Sequence, residues 1–97
     1  MIRKTAYSVI TTAHFDRLLK KLAPKHLELV ERFEETVTVL STDPHNKSGK
    51  YAIKKLQGVP VGGGQYRLRS GRFRFRYDII GEDVVLSYCG LRREDTY

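Results

Sequence analysis

The sequence predicts an α+β fold in the order βααβββ: a strand, an antiparallel two-helix hairpin and an antiparallel β-meander. Three observations lead to this fold class. Apolar residues recur at helical spacing over residues 15–40, and they alternate with polar residues over residues 65–79. Prolines and glycines separate these segments. Because 97 residues suffice for one domain with a modest core, we expect residues 1–97 to form a single domain.

The first half of the chain predicts the strand and the two helices. Residues 7–11 are rich in β-branched and aromatic side chains, which is typical of a strand. Thr12 offers an N-cap hydroxyl to the first helix. Pro24 is well placed to begin the second helix, which Asp43-Pro44 ends. The expected apolar stripes consist of Phe15, Leu18, Leu19 and Leu22 in the first helix and Leu27, Val30, Phe33, Val37 and Leu40 in the second.

The second half of the chain predicts a loop followed by three strands. Residues 45–64 lack periodicity, and Gly62-Gly63-Gly64 marks a loop there. Alternation then begins, a tight turn is expected at Ser70-Gly71, and a further turn at residues 81–83 leads into the last strand. Cys89 falls within that strand, where a small buried thiol is the common outcome.

The composition disfavours several classes of protein. No segment approaches the roughly 18–20 apolar residues of a membrane helix, and no apolar signal region follows the N-terminal residues. The lone cysteine allows no intrachain disulfide, so we expect a cytoplasmic protein. His14, His26 and His45 lack ligand spacing, and no cofactor motif is present, so we expect neither a metal nor a cofactor.

The positive charge is concentrated in the second half of the chain. The net charge is +7; residues 1–49 carry +2 (8 Lys/Arg, 6 Asp/Glu) and residues 50–97 carry +5 (10 Lys/Arg, 5 Asp/Glu). Residues 50–76 contain eight basic residues and no acidic one. Such a segment repels itself unless it is solvated or meets a polyanion.

The alternation over residues 65–79 separates aromatic from cationic side chains. Successive side chains of a strand point to opposite faces, so we expect the rings to face the helices. The expected inner set is Tyr66, Leu68, Phe73, Phe75, Tyr77 and Ile79. The opposite, open face is then expected to carry Arg67, Arg69, Arg72, Arg74 and Arg76, with Asp78 as its acidic member.

A face made almost entirely of arginine costs stability, because like charges opposite each other in a β-ladder repel. A surface that serves solubility normally mixes charge signs. Arginine binds phosphate oxygens in bidentate fashion, so the pattern favours nucleic acid or an acidic protein partner over a merely solvated surface. The charge pattern alone leaves both partners open.

Four motifs together resemble the RelE/ParE superfamily of type II toxin–antitoxin systems, over nearly the whole chain and in the same element order. They are Phe-x-x-Leu-Leu-Lys-Lys-Leu at 15–22, Lys-Lys-Leu-Gln-Gly at 54–58, Tyr-Arg-Leu-Arg-Ser-Gly-Arg-Phe-Arg-Phe-Arg-Tyr at 66–77 and Gly-Leu-Arg-Arg-Glu-Asp-Thr-Tyr at 90–97. The resemblance implies a helical hairpin packed on an antiparallel sheet and a cognate antitoxin as partner.

The resemblance implies one of two toxic activities. RelE-like members cleave mRNA in the ribosomal A site, whereas ParE-like members poison DNA gyrase. The segment from Arg92 to Tyr97 favours the nuclease, with ribosome and mRNA as partners, because a gyrase inhibitor has no evident need for a terminal Arg/Tyr pair. A non-catalytic RNA-binding module is a third alternative.

The resemblance also implies site residues. The endonuclease branch typically works through basic residues on the second and third strands, an arginine after the last strand and a tyrosine near the C-terminus. Transferred by position, the expected catalytic set is Arg67, Arg74, Arg92 and Tyr97. The expected RNA-binding set is Lys54, Lys55, Gln65, Arg69, Arg72, Arg76 and Arg93.

Proton transfer is the step for which the sequence offers no single residue. Gln65 departs from the family pattern, because some members carry a second lysine there that acts in proton transfer. Arginine is a poor base because its pKa exceeds about 12. Tyr97, Lys54 or Lys55 would therefore have to move the proton.

Overall fold

Seven elements follow one another in the described part of the chain, and they confirm the predicted α+β fold class. The computed structural model describes residues 7–92. Its elements are β1 (Ser8–Thr11), α1 (Ala13–Leu22), α2 (Glu28–Thr42), β2 (Ile53–Lys55), β3 (Tyr66–Ser70), β4 (Phe73–Ile80) and β5 (Asp83–Leu91). The sequence predicts a loop at the position of β2, because a strand of three residues is too short to show alternation.

All five strands form one sheet in the order β1-β5-β4-β3-β2. Strands β3, β4 and β5 form the predicted antiparallel meander, and β2 pairs antiparallel with β3. Strand β1 runs parallel to β5, with Ser8 opposite Asp83 and Thr11 opposite Leu86. The first strand therefore forms one edge of the sheet, and β2 forms the other.

The start of α1 follows the capping chemistry that the sequence predicts. The Thr12 hydroxyl accepts a hydrogen bond from the Phe15 N–H at 3.0 Å, and Asp16 stands in the first turn. Phe15 is fully buried, and the centre of its ring lies 5.5 Å from that of Phe33 on α2. Contact between these rings joins the two helices.

The connection between the helices corrects the prediction that Pro24 begins the second helix. Residues 23–27 form a turn instead, in which the His26 N–H donates a hydrogen bond to the Leu22 carbonyl at 3.0 Å. Helix α2 therefore begins at Glu28. The turn satisfies carbonyl groups at the end of α1 that would otherwise lack partners.

The buried side of α2 also differs in part from the predicted stripe. Leu40 is buried and Phe33 packs against the core as expected, but Leu27 and Val30 are exposed. Leu29 and Thr36 are buried instead, so the helix is rotated relative to the prediction. Thr36 takes a core position that a search for apolar residues overlooks. Neither helix within residues 7–92 is long and apolar enough to cross a membrane.

The predicted inner face of the meander forms the hydrophobic core. Phe73, Phe75 and Tyr77 are fully buried, and α1 and α2 cover them. The Tyr77 hydroxyl donates a hydrogen bond to the Pro44 carbonyl at 2.7 Å. Burial raises the pKa of Tyr77 above its usual value, so this hydroxyl remains a donor.

Cys89 is buried in the same core, which confirms the prediction of a buried thiol. Burial raises the pKa of the Cys89 thiol to about 12. Since the thiolate is the reactive form of cysteine, this residue is structural rather than nucleophilic near neutral pH.

Candidate nucleic-acid interface

The register of β3 and β4 brings basic residues together on the outer side of the sheet, away from the helices. Arg67 faces Arg76, and Arg69 faces Arg74. On the edge strand β2, Lys54 faces Arg67. Residues paired in this way have β-carbons about 4.5–5.5 Å apart, so the five side chains share one surface. We call Lys54, Arg67, Arg69, Arg74 and Arg76 the arginine face.

Asp78 does not belong to the open surface, which corrects its prediction as the acidic member of that face. Its side chain is buried beneath the loop that precedes β3. The carboxylate accepts hydrogen bonds from the Gly64 and Gln65 N–H groups, each at 3.0 Å. The charge of Asp78 therefore serves to hold this loop on the sheet.

Arg76 is the member of the arginine face that binds the same loop. Its Nε and Nη2 donate to the Gly64 carbonyl at 3.2 and 3.0 Å, and Nη2 also donates to the Gly63 carbonyl at 3.0 Å. A β-carbon at Gly64 would lie 3.1 Å from the Arg76 Cβ, so the approach is close. The guanidinium of Arg76 therefore has a structural task in addition to its predicted contact with RNA.

Two of the predicted RNA-binding residues have other neighbours: Lys55 lies away from the arginine face, and Gln65 binds the loop that precedes β3. Lys55 faces Tyr66, and its ammonium lies 5.7 Å from the centre of the Tyr66 ring on the helix side of the sheet. The Gln65 side-chain amide donates a hydrogen bond to the Val59 carbonyl at 2.9 Å. Both residues line an open depression of about 530 Å³ beside residues 56–60.

The turn between β3 and β4 brings Arg72 and Arg92 together at one end of the arginine face. The Arg92 N–H donates to the Arg72 carbonyl at 2.9 Å, and the Arg92 Nη1 donates to the Gly71 carbonyl at 3.2 Å. Gly71 has a φ of +61°, which the predicted tight turn requires. The predicted site residues Arg93 and Tyr97 lie outside the described residues.

Tyr88 also lies on the outer side of the sheet, where no sequence pattern predicts it. Strict alternation from the buried Leu86 would direct Tyr88 into the core. A β-bulge shifts the register, because Tyr77 pairs with Leu86 whereas Arg76 pairs with Tyr88. Ser87 is the extra residue of this bulge. Such bulges redirect side chains, and here the bulge turns Tyr88 towards the arginine face.

Gly90 provides the space that the Tyr88 ring occupies. Gly90 pairs with Arg74, and a β-carbon built on it would collide with the Tyr88 hydroxyl and lie 2.9 Å from its Cζ. The phenol therefore extends over Gly90, the residue that stands opposite Arg74. A glycine inside a strand is the sequence signal that points to such a close approach.

A comparison with known proteins identifies the family. The chain is 35% identical over 80 residues to the protein named "Putative toxin RelE1" from Methanocaldococcus jannaschii, and the match covers 81% of each chain. The chain belongs to the RelE/ParE superfamily of toxins. No family model matches the chain, and neither does any solved structure. Membership makes this protein the toxin of a toxin–antitoxin system, with an antitoxin as its partner.

Two histidines of the toxin, His26 and His45, pack against aromatic rings. The ring of His45 packs edge-on against the rings of Tyr7 and Tyr66, with centroids 6.0 and 6.1 Å away. His26 packs in the same manner against Phe73. Within residues 7–92 no group of three His, Cys, Asp or Glu side chains is placed to hold a metal ion.

The chemistry of the toxin's outer face is that of an anion site. Guanidinium groups donate hydrogen bonds to phosphate oxygens and remain charged at any physiological pH. Of the two lysines considered for proton transfer, Lys54 lies on the arginine face and Lys55 does not. The face is thus suited to stabilise negative charge, with Lys54 and Tyr88 as its described groups that can exchange a proton.

Proposed function

We propose that this toxin is a ribosome-dependent mRNA endonuclease that blocks translation. The observation that carries the proposal is the arginine face, in which Arg67 and Arg69 of β3 stand opposite Arg76 and Arg74 of β4. Guanidinium groups held side by side on one surface can bind the phosphates of a polyanion in bidentate fashion. An RNA backbone supplies phosphates at a regular spacing.

The proposed reaction needs no group beyond the RNA and the side chains of the toxin. The ribose 2′-OH loses its proton and attacks the adjacent phosphorus. A pentacovalent state with additional negative charge forms, and the bond to the 5′-oxygen of the next nucleotide then breaks. The products are a 2′,3′-cyclic phosphate and a 5′-hydroxyl, which takes up a proton.

Arg67, Arg74 and Arg92 have the role of stabilising the pentacovalent state. Guanidinium groups that are held in place before the reaction bind the additional charge more strongly than they bind the ground state, which lowers the barrier. Arg69 and Arg72 are exposed beside them and would bind flanking phosphates. Arg76 would contribute charge while it holds the loop.

Proton transfer falls to Lys54 or to Tyr97 in this proposal. Lys54 stands opposite Arg67 within the arginine face, and its amine is a group that can exchange a proton. Tyr97 is assigned through the family pattern. Comparing the pH–rate profiles of Lys54→Gln and Tyr97→Phe with that of the wild type identifies the group, because loss of the base removes one limb of the profile.

The test of the proposal is cleavage of a translated mRNA, read by primer extension in a translation extract. We expect cuts within codons by the wild-type toxin, and losses of about 10²–10³ in rate for Arg74→Ala and Arg92→Ala. Arg17→Ala removes the same charge from an exposed position of α1, outside the arginine face, and is expected to cleave normally. Undiminished cleavage by both Arg74→Ala and Arg92→Ala would refute the residue assignment.

A parallel assay with DNA gyrase separates the other activity of the superfamily. Gyrase-dependent DNA breaks without cut RNA would overturn the nuclease proposal in favour of a gyrase inhibitor. Salt-dependent RNA binding without cleavage or growth arrest would instead favour a non-catalytic RNA-binding module.

A further inference from the structure

We propose that Tyr88 is a substrate-contacting residue of this site, and that Gly90 acts as a positioning residue that lets the Tyr88 hydroxyl reach the space beside Arg74. The inference rests on the proposed nuclease function and deepens it. It assigns the hydroxyl the task of donating a hydrogen bond to a phosphate oxygen of the bound RNA.

The first argument for this inference is the direction in which Tyr88 points. The bulge at Ser87 turns Tyr88 out of the core, so that it stands opposite Arg76 on the outer side of the sheet. Removing a large aromatic side chain from a core forgoes the favourable free energy of its burial. Bulges are over-represented at sheet edges, at the rims of barrels and next to active sites, where they redirect a side chain.

The second argument is the space above Gly90. Glycine in the middle of a strand weakens the strand, because it has no side chain to pack. Gly90 is nevertheless buried, since the end of the Tyr88 ring covers the place of its missing side chain. Tyr88 and Gly90 thus both depart from the ordinary pattern of a strand. Together these departures bring the Tyr88 hydroxyl over the position opposite Arg74.

The third argument is chemical. Guanidinium groups on this face donate hydrogen bonds through nitrogen and carry full charge, whereas a phenol donates through oxygen and is neutral at pH 7. A neutral donor beside Arg74 can bind a phosphate oxygen without adding to the repulsion among the arginines. A hydrogen bond to a charged group contributes about 1.5–3 kcal/mol, which corresponds to about 10- to 100-fold in rate if it forms in the transition state.

The central test is Tyr88→Phe, which removes the hydroxyl and keeps the ring over Gly90. We expect single-turnover cleavage to slow by about 10- to 100-fold, while the variant keeps the circular dichroism spectrum of the folded wild type. Tyr66→Phe is the matched control, because the Tyr66 ring stacks on Tyr77 on the helix side of the sheet. Equal cleavage by Tyr88→Phe and the wild type, or equal losses in both phenylalanine variants, would overturn the inference.

A double-mutant cycle tests the positioning role of Gly90. We expect Gly90→Ala to slow cleavage, because the new methyl group displaces the phenol. In a Tyr88→Ala background the same Gly90→Ala change is expected to have no further effect, because no ring remains to displace. A merely structural role of Gly90 would lower the rate equally in both backgrounds, and that result would overturn the inference for Gly90.

The outcomes distinguish this inference from the proposed function. Cleavage by the wild type that is lost in Arg74→Ala but kept in Tyr88→Phe would overturn the role of Tyr88 and leave the nuclease standing. An absence of cleavage by the wild type would overturn the proposed function and this inference with it.

Discussion

The buried carboxyl group of Asp78 holds the loop that precedes β3 on the sheet. Asp78→Ala leaves the Gly64 and Gln65 N–H groups without their acceptor, so we expect the free energy of unfolding to fall by about 2–4 kcal/mol. Urea unfolding followed by circular dichroism measures the change. Asp83→Ala, which removes an exposed carboxylate at the start of β5, is the control. Equal small losses in the two variants would contradict the role given to Asp78.

Cys89 makes the stability of the toxin sensitive to alkaline pH. Its pKa is raised from 9.0 to about 12 on folding, so the native state favours the neutral thiol. The resulting stabilisation is complete below pH 9 and is lost as the pH rises from 9 towards 12. We expect the free energy of unfolding to fall more steeply above pH 9 in the wild type than in Cys89→Ala. Parallel urea-unfolding curves across that range would contradict the prediction.

The direction of a candidate site residue could be predicted from the sequence where strand alternation decides it. Arg67, Arg69 and Arg74 reach one surface because β3 and β4 are regular and paired in register. The prediction was less useful for Lys55 and Gln65, whose directions depend on a ring and a loop carbonyl contributed by other segments. Such contacts leave no local pattern in the sequence.

On the paired strands β3 and β4, the arginines that would bind RNA also face one another as like charges. Arg69 is exposed opposite Arg74, so Arg69→Gln removes one repulsive cross-strand pair. We expect the free energy of unfolding at low salt to rise by about 0.2–1 kcal/mol, while binding to single-stranded RNA weakens. Arg17→Gln on α1 should change neither quantity. A loss of stability in Arg69→Gln would show that the facing arginines do not repel each other in the folded toxin.

The elements themselves were predictable to the extent that their patterns are long. The eight residues of β4 and the capped start of α1 followed the prediction, because alternation and an N-cap are local signals. The start of α2 did not, since a turn competes with Pro24 for the same segment. The bulge in β5 is likewise invisible in a run in which nearly every residue is apolar.

The whole molecule is expected to bind RNA through charge. The logarithm of the affinity for single-stranded RNA should fall linearly with the logarithm of salt concentration, by about 0.7 for each phosphate engaged. Fluorescence anisotropy over a series of NaCl concentrations measures this slope. Arg69→Gln should reduce the slope by about 0.7, and Arg17→Gln should leave it unchanged. An affinity that does not vary with salt would argue against phosphate binding by this face.

At the scale of the molecule, the fold class could be predicted from the sequence, but the pairing of β1 with β5 could not. Two helical stripes and an alternating segment suffice to indicate an α+β meander. The parallel pairing of β1 with β5 joins Ser8 to Asp83, two positions that are far apart in the chain. Nothing in the composition of a four-residue strand indicates which distant strand it will join.

The position of β5 has a consequence for how the toxin folds during its synthesis. This strand follows every other described element in the chain, yet it lies between β1 and β4. During synthesis, β1 has no strand to pair with until residues 83–86 have been made. The five-stranded sheet of the toxin is therefore completed only after β5 has been synthesised.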